Sequence, residues 1–587
     1  MNNDRQGILE KSLTGSDLTW TYLTRAILVV VAVLAYVRLF IGVDVTDESF
    51  YNAMPYSFSL GFRPYLDELN ITQNSGILLA PLYRLFSAMT GSSAGLVLFN
   101  RHLYFLLLLG CSYLTFRVGT GYVGRSYSRL LAAFVLTFSY FNIPSLSYNT
   151  LGALFLFGGL FQLLLCVGPD TCVRPHRFIF AANMSFVLSA FCYPTLLLSS
   201  IIGFGVSLWL SIQPIPSGSA RQAWDGRIAW GLSFALGLAG AIVFLACYGF
   251  HAIADSLAYA DSYGHNPIGS APQMTFVILG QLRDLGLYFA AFTVLLVWPI
   301  IPARTFRDYH SSFIVAGFAG SVGLLFMIHR QPSLAAYPAG SVPLLLCFGL
   351  LAPGVLCLLP DRRKAREFAI IVCMPSFAAA LAVAFSSGNG LSSAILGLFP
   401  AAVCGLLTVA MIARAIDLDR QSNGVRAVSV LVTLVPILGF QGYSLLERSY
   451  RDAPFSGGAL PVFATGPFAG LLTTEANARR LAALEADLNS LGNSAQTLFI
   501  YDRFPAGYLL SHLKPRTFST WIFWPADPAV ETDLLRRVFA SAEASPDVLL
   551  QIGPSLPWID VEVRRLKYRV HVERPEFGYV ILLRERI

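Results

Sequence analysis

Charge is what this sequence has least of. Asp, Glu, Lys and Arg make up only 13% of its 587 residues, against 55% hydrophobic ones, and the mean hydropathy is +0.60. A soluble globular domain carries about 25% charged residues, so an aqueous fold throughout is excluded. Cysteine is sparse as well. The nine cysteines lie in or beside apolar runs and none sits in the polar C-terminal stretch, so they form no disulfide framework and read as small packing residues. The sequence has no G-x-x-x-x-G-K-[ST], no G-x-S-x-G, and no G-x-G-x-x-G that opens a soluble strand and helix. A nucleotide-driven cytoplasmic site therefore has no visible support. No His, Cys, Asp and Glu spacing suits a metal, and there is no internal repeat or low-complexity tract.

Long apolar runs are what the sequence has instead. A bilayer core of about 30 Å needs about 20 apolar residues per helix, and such runs recur from Ala26 to about Gly442. They predict about thirteen spans, near 23–41, 96–118, 130–145, 151–167, 178–193, 195–212, 228–250, 285–301, 313–328, 334–359, 368–385, 391–413 and 428–442. The runs are too long for membrane strands of about ten alternating residues. The fold class is a polytopic α-helical membrane protein. Its first run is longer than a signal-peptide core and is expected to stay as an anchor.

Lys and Arg collect in alternate breaks, among them Arg117, Arg125 and Arg129, then Arg174 and Arg177, then Arg362, Arg363, Lys364 and Arg366. The positive-inside rule makes these breaks cytoplasmic, puts the N-terminus inside, and leaves the C-terminus outside after an odd number of spans. The net charge of +7 then reflects orientation in the membrane, and no nucleic acid is expected as a partner.

The first outer segment, 44–91, gathers Asp44, Asp47, Glu48, Asp67 and Glu68 directly after an apolar run. Acids beside an apolar wall require hydration, pairing or use. Thr46 is a plausible N-cap for a helix starting at Asp47, and acids in a first turn are favoured by the helix dipole alone. Asp47 and Glu48 would point about 100° apart, so one faces a cavity while the other orients it. Asp47 is the first choice for a general base acting on a hydroxyl, Glu48 the second. Asp67 and Glu68 are candidates for binding an acceptor, or a solvated loop, and Asp44, Tyr65 and His265 join them as candidate substrate contacts. "DESFYNAMPYSFSL" and "NSGILLAPLYRLFSAMTG" read as amphipathic pieces interrupted by proline and suited to the membrane interface. Outer-face cations are scarce, and Arg330 in "IHRQPSLAAYPAG" is the strongest candidate for holding a phosphate, with lipid headgroup pairing as the alternative. The "CYPT" at 192–195 is too tight for a full loop between two spans and predicts a broken or re-entrant turn.

From about Glu447 the composition changes. An amphipathic helix "ANARRLAALEADLNSLG", a strand "TLFIYD", a helix "AGYLLSHL", a strand "FSTWIF", a helix "TDLLRRVFASAEA", a strand "DVLLQIG" and a last strand "GYVILLRER" predict a C-terminal extracytoplasmic α/β domain over 447–587, following a membrane domain over 1–446.

The sequence "DESFYNA", "LGFRPYLDE" and "PLYRLFSAMTG" leading to "NRHLY" resembles the first outer loop of the GT-C superfamily of polytopic glycosyltransferases, in particular the protein O-mannosyltransferases and bacterial lipid A aminoarabinose transferases. "CYPT" is similar to that family's turn between two short helices, with Tyr193 where a lysine often stands, and "RQPSLAAYPAGSVPLLL" to its later outer segment. The resemblance implies transfer of a sugar from a polyprenyl-phosphate donor, with inversion, to an outer-face glycan, lipid or protein acceptor in the bacterial inner membrane. It implies Asp47 as base, Glu48 as its neighbour, and Arg101 or Arg330 near the donor phosphate, where Tyr193 is a further candidate; a divalent metal stays an open alternative with no support in the sequence. A lipid-linked glycan polymerase or ligase, a transporter, and a non-catalytic scaffold stay as alternatives. A transporter would carry ionisable residues at mid-membrane in symmetric halves, and neither feature is visible.

Overall fold

The computed structural model describes residues 15–168, 175–213, 220–262, 271–284, 286, 341–417, 438–439, 441, 449–453, 462–492, 495–501, 503–522, 528–541, 545–553 and 557–585. Within them the chain is mostly helical. It runs through α1 (Gly15–Val37), α2 (Asp47–Ser59), α3 (Asn74–Thr90), α4 (Leu96–Val123), α5 (Arg125–Leu136), α6 (Tyr148–Val167), α7 (Pro175–Cys192), α8 (Leu197–Ile212) and α9 (Ala220–Tyr248). It continues through α10 (Phe250–Ser262), α11 (Ala271–Asp284), α12 (Ser341–Leu356), α13 (Arg362–Phe368), α14 (Met374–Ser386) and α15 (Leu391–Asp417).

Among the described residues seven helices are long and apolar enough to cross a membrane: Leu18–Phe40, Leu96–Val123, Tyr148–Val167, Pro194–Ile212, Trp224–Tyr248, Arg362–Ser386 and Leu391–Ile412. Two shorter apolar helices, His176–Cys192 and Leu345–Leu356, accompany them. A helix satisfies its own backbone hydrogen bonds, which is what a chain in hydrocarbon requires. The runs near 285–301 and 313–328, and most of 428–442, lie outside the described residues. The run at 130–145 does not form a span. It is the short helix α5 followed by a buried non-helical stretch, 137–147. That stretch is tolerated because protein groups take its carbonyls. Tyr104 Oη donates to the Phe138 oxygen at 2.5 Å and Arg38 Nη2 to the Asn142 oxygen at 2.6 Å.

The interior is built around α15, against which α12, α14 and α6 pack with aromatic and small residues. Phe399 stacks on Phe138 with ring centroids 4.0 Å apart and on Phe157 at 4.8 Å. At Gly397 the two helices touch: a Cβ there would lie 2.2 Å from the Ala380 backbone nitrogen. Small residues that let backbones approach are the usual means of helix association in lipid, where no hydrophobic drive separates helix from solvent. By contrast α9 presents Leu232, Leu236, Ile242 and Val243 outward, each about half exposed, as a lipid-facing helix does.

The remaining elements are β1 (Val462–Phe463), β2 (Leu472–Thr473), α16 (Glu475–Asn489), β3 (Thr497–Ile500), α17 (Ala506–Leu509), β4 (Lys514–Pro515), α18 (Pro528–Phe539), β5 (Val548–Ile552), α19 (Pro557–Arg565), β6 (Tyr568–Arg574) and β7 (Tyr579–Arg584). They include a five-stranded sheet in the order β4-β3-β5-β7-β6. β3 runs parallel to β4 and β5, with Leu498 opposite Val548, while β7 is antiparallel to both β5 and β6. The stretch "FSTWIF" is not a strand. Phe518 to Ile522 form a buried loop, and the strands the pattern did not reveal are the two-residue β1, β2 and β4 and the longer β6.

Two seams tie this region to the first outer segment. Gly42 N donates to the Leu472 oxygen at 2.8 Å, and Leu69 N to the Phe518 oxygen at 2.8 Å. Phe50, Met54 and Phe58 recur every fourth residue on α2 and form one apolar cluster with Phe62 and Trp521. The helices α2 and α3 run unbroken through Pro55 and Pro81. Only α3 keeps an exposed apolar face, at Leu82, Leu85 and Met89, whereas α2 is buried on nearly every side.

Candidate active site

Three faces of α2 carry three kinds of side chain. One bears the aromatic stripe against Trp521. A second bears Glu48 and Asn52, both buried. The third bears Asp47 and Tyr51, which face a cavity of about 680 Å³. This volume is in the range of small-molecule sites.

The second face is fully consumed inside the protein. Glu48 accepts from Arg101 Nε at 2.7 Å and from Arg101 Nη2 at 2.5 Å, and Ser145 Oγ donates to the same carboxylate. Arg101 spends its other donors on the carbonyls of Leu39 at 2.7 Å, Ile41 at 3.2 Å and Gly42 at 2.8 Å. With both side chains 2% exposed, the pair clamps the exit of the first span onto α2 and α4. Arg101 therefore has no donor to offer a phosphate and does not line the cavity, which corrects the role expected for it. Below it, Asn52 Oδ1 accepts from Tyr83 Oη at 2.6 Å and Asn100 Nδ2 at 3.0 Å.

The helix start is held by Asp44, not by Thr46, whose side chain makes no capping bond. Asp44 Oδ2 accepts from Glu48 N at 2.8 Å and Oδ1 from Thr46 N at 2.9 Å and Thr46 Oγ1 at 2.5 Å. Burial pushes the Asp44 carboxyl up to about 6 despite these bonds. Its oxygens are turned to the backbone, so it is a capping residue and contacts no substrate space.

Of the acids in the first outer segment, Asp47 is the one that reaches the cavity. Its Oδ2 accepts from Tyr450 Oη at 2.5 Å and lies 3.2 Å from Arg451 Nη1, while Oδ1 makes no hydrogen bond among the described residues. Burial raises its pKa above the ordinary carboxylate value, and the Tyr450 hydrogen bond and the charges of Arg451 and Arg503 oppose that rise. Arg451 also donates to Thr46 Oγ1 and stacks over the Tyr450 ring at 4.9 Å. Neighbouring Asp452 accepts from Val43 N at 2.8 Å, from Thr473 Oγ1 at 2.7 Å and from Asn477 Nδ2 at 3.2 Å, which fixes the 450–452 segment against the first outer loop.

The rest of the cavity wall comes from distant parts of the chain: Tyr140 and Asn149, Tyr148, Tyr193 in the break before α8, Asp261 at the end of α10, and Ser386 to Asn389 between α14 and α15. Tyr51, Tyr148 and Tyr193 form a chain of edge-to-face rings with centroids 5.9 and 5.1 Å apart. Tyr193 follows the last residue of α7 directly, and a turn of 3₁₀ helix at Pro194–Leu196 joins it to α8, so the break in "CYPT" sets a phenol on the wall.

The other expected contacts are elsewhere. Tyr65 is buried, with its Oη donating to Asn74 Oδ1 at 2.6 Å and its N to Gln73 Oε1 at 2.7 Å, so it orders the turn before α3. Asp67 is held by Arg63 through Nε at 3.0 Å and Nη2 at 2.8 Å. Glu68, completely buried, accepts from Thr520 N and Oγ1, both at 2.8 Å, and from Asn70 N at 2.9 Å, which makes it a tie to the C-terminal region. His265 and Arg330 lie outside the described residues. No group of three or more His, Cys, Asp or Glu able to hold a metal occurs among the described residues. The residues that sequence reasoning missed are Tyr450, Arg451 and Arg503. For the first two the signal was there in "SYRDAPF", an aromatic and two opposite charges a few residues after the last apolar run.

No family model and no curated protein matches the chain. Among solved structures it is similar to the archaeal oligosaccharyltransferase AglB from Archaeoglobus fulgidus in complex with an inhibitory peptide and a dolichol-phosphate. That match has a TM-score of 0.40 at 10% identity and covers 90% of this chain and 69% of that one. It is also similar to ArnT from Cupriavidus metallidurans bound to undecaprenyl phosphate, with a TM-score of 0.40 at 13% identity over 96% of this chain and 98% of that one. A structure of the Archaeoglobus fulgidus oligosaccharyltransferase in complex with Zn and sulfate has a TM-score of 0.46 at 11% identity over 90% of this chain and 68% of that one.

Proposed function

We propose that this chain is a GT-C type membrane glycosyltransferase that moves a sugar from a polyprenyl-phosphate donor to a hydroxyl of an outer-face cell-envelope acceptor, with Asp47 as general base. The observation that carries the reading is a carboxylate with one oxygen held and the other without a hydrogen bond among the described residues, on the wall of a polar, aromatic-lined cavity at the exit of the first membrane span. In the reaction the acceptor hydroxyl oxygen bonds to the anomeric carbon while Asp47 Oδ1 takes its proton. The bond from that carbon to the phosphate oxygen breaks, and the electron pair leaves with the polyprenyl phosphate. Attack from the face opposite the phosphate inverts the anomeric centre. Tyr450 and Arg451 hold Oδ2, which leaves Oδ1 as the oxygen to take the proton, and partial burial of Asp47 favours accepting it.

The donor arrives activated and membrane-dissolved, so no nucleotide is needed on this side. Arg451 and Arg503 supply positive charge near Asp47 for the departing phosphate, with Arg330 as a further candidate. In this reading residues 1–446 form the membrane part with the N-terminus inside, and 447–587 an α/β domain outside, in a bacterial inner membrane.

Asp47→Asn tests the proposal. The variant is expected to bind a polyprenyl-phosphate sugar normally and to lose about 10²- to 10⁴-fold in transfer rate. Retention of full rate sinks the base assignment. Indifference of every outer-face function to the change favours a scaffold.

A further inference from the structure

At the end of α1 opposite the Asp47 cavity, three arginines from two helices converge. Arg125 and Arg129 stand one turn apart on α5, so their side chains leave the same face of the helix with about 6 Å between Cβ atoms. Arg25 comes from α1, and its guanidinium lies over the Tyr22 ring at 6.0 Å. Arg25 and Arg125 are exposed, whereas Arg129 is built into the contact between the helices. It is only 9% exposed, and its Nη1 donates to the Thr21 oxygen at 3.3 Å and to Thr24 Oγ1 at 3.2 Å, both on α1. Its Nε and Nη2 make no hydrogen bond among the described residues, and neither is sealed from solvent.

The charges of Arg25 and Arg125 both act on Arg129, and no carboxylate offsets them. None of the three makes an ion pair among the described residues. Arg125 also opens α5, whose cap Gly124 has no side chain and whose first turn holds no acid, so the helix dipole adds to the positive field. Like charges gathered beside hydrocarbon are unfavourable until an anion joins them. Orienting a membrane protein needs only cations in a loop, whereas here one guanidinium is fixed between two helices and two more flank it. The surroundings narrow the kind of anion. Trp20, next to Thr21, meets Tyr127 edge to face with ring centroids 6.2 Å apart, and these are the residue types that sit at headgroup depth. From Arg25 along α1, Val29, Val33 and Tyr36 form one stripe at helical spacing, 60, 53 and 41% exposed. The rise from Arg25 to Tyr36 is about 16 Å at 1.5 Å per residue, close to one leaflet's half of a hydrocarbon core of about 30 Å.

We infer that this cluster binds the phosphodiester headgroup of an anionic phospholipid, with Arg129 behind it, Arg25 and Arg125 on the phosphate oxygens, and an acyl chain along Val29 and Val33. Guanidinium groups hold phosphate oxygens through paired N–H donors, and basic pockets between membrane helices suit such headgroups. A free anion gains nothing from the apolar stripe, so the occupant is a lipid. Bound there, it fastens α1 to α5 at one end, as Glu48 and Arg101 fasten the other end of α1 to α2 and α4. The site stands apart from Asp47 and does not depend on the transferase reading.

The test is equilibrium lipid binding to the full chain in neutral detergent, read by native mass spectrometry. Phosphatidylglycerol is the probe, phosphatidylcholine the zwitterionic control and inorganic phosphate the soluble competitor. Phosphatidylglycerol is expected to bind about tenfold more tightly than phosphatidylcholine, and Arg25→Gln with Arg125→Gln should remove most of that preference. Arg362→Gln with Arg366→Gln, which takes two exposed arginines from α13, should leave the preference unchanged and so separates a built site from a general attraction of cations for anionic lipid. Equal binding of the two lipids overturns the inference. So does a preference that survives the change at Arg25 and Arg125 in a chain that keeps its circular dichroism spectrum, or an equal loss on changing Arg362 and Arg366. If the double variant does not fold, each single substitution is read instead, and a preference untouched by both overturns the inference. Displacement of the lipid by inorganic phosphate at equal concentration shows a free-anion site and overturns the lipid assignment.

Discussion

Replacing Glu48 by Gln is the sharpest probe of how the site is held. The substitution keeps the shape and removes the charge. In the native protein Glu48 and Arg101 are each 2% exposed and share two hydrogen bonds of 2.7 and 2.5 Å. Arg38, itself buried, lies within electrostatic reach of both. With Gln at 48, one amide N–H faces an Arg101 N–H, and two buried guanidinium groups are left without a carboxylate between them. Removing one partner of a buried ion pair costs about 3–5 kcal/mol because the survivor stays desolvated and unpaired. If the pair is lost on the way to the unfolding transition state, the lower figure speeds unfolding by roughly 150-fold. The assay is the half-life of the purified chain in nanodiscs at a fixed elevated temperature, read by circular dichroism, for Glu48→Gln, Arg101→Met and the double variant. The two losses should not add: the double variant should be spared by about 1–3 kcal/mol relative to their sum. A Glu48→Gln chain as durable as the native one but with a transfer rate down a hundredfold would refute this reasoning and make Glu48 a catalytic group.

The other predictions concern the open carboxylate and its supports. Asp47 must be deprotonated to act as base, and its folded pKa is raised, so kcat/KM should fall as pH drops through a value above the ordinary carboxylate range. Tyr450→Phe deletes a hydrogen bond that favours the charged form, so this acid limb should move to higher pH, and a shift to lower pH contradicts the assignment. Asp44→Ala removes three capping bonds and should cost about 0.5–2 kcal/mol, seen as a shorter thermal half-life. Gly397→Ala would set a methyl 2.2 Å from the Ala380 nitrogen. It should cost about 1–3 kcal/mol and raise the KM for donor by displacing the 386–389 wall.

Much of the membrane architecture was legible because hydrocarbon enforces it: long apolar runs have to be helices, and α1, α4, α6, α8, α9, α14 and α15 fall where the runs do. The run at 130–145 misled because apolar content does not report backbone conformation. Its polar members, Thr137, Ser139, Asn142 and Ser145, are buried in a loop that borrows hydrogen bonds from Tyr104 and Arg38. "FSTWIF" misled for the converse reason. Alternation predicts a strand, but the Thr520 N–H is taken by Glu68 at 2.8 Å, 452 positions away, so a carboxylate does the work of a neighbouring strand. At the site, the 100° offset between Asp47 and Glu48 was readable from helix geometry, and the identity of Asp47's partners was not. Tyr450 meets Asp47 across 403 positions, and no local pattern encodes such a contact.

That division between adjacent acids also explains why the chemistry falls to one of them. A general base needs an oxygen that is open to substrate and an environment that does not commit its charge. Glu48 fails both conditions: Arg101 grips both of its oxygens and Ser145 adds a third donor, all away from the cavity. Asp47 meets both conditions. Its second oxygen takes no hydrogen bond among the described residues, its cationic neighbour Arg451 is half exposed and 3.2 Å away, and solvent screens such a pair far more than a buried one. The buried pair fixes where α2 sits, and the exposed end of the same helix turn then carries a carboxylate whose position is inherited from its neighbour. Displacing α2 by one turn would move Asp47 off the wall, so the clamp at Glu48 sets the geometry of the base without touching the substrate.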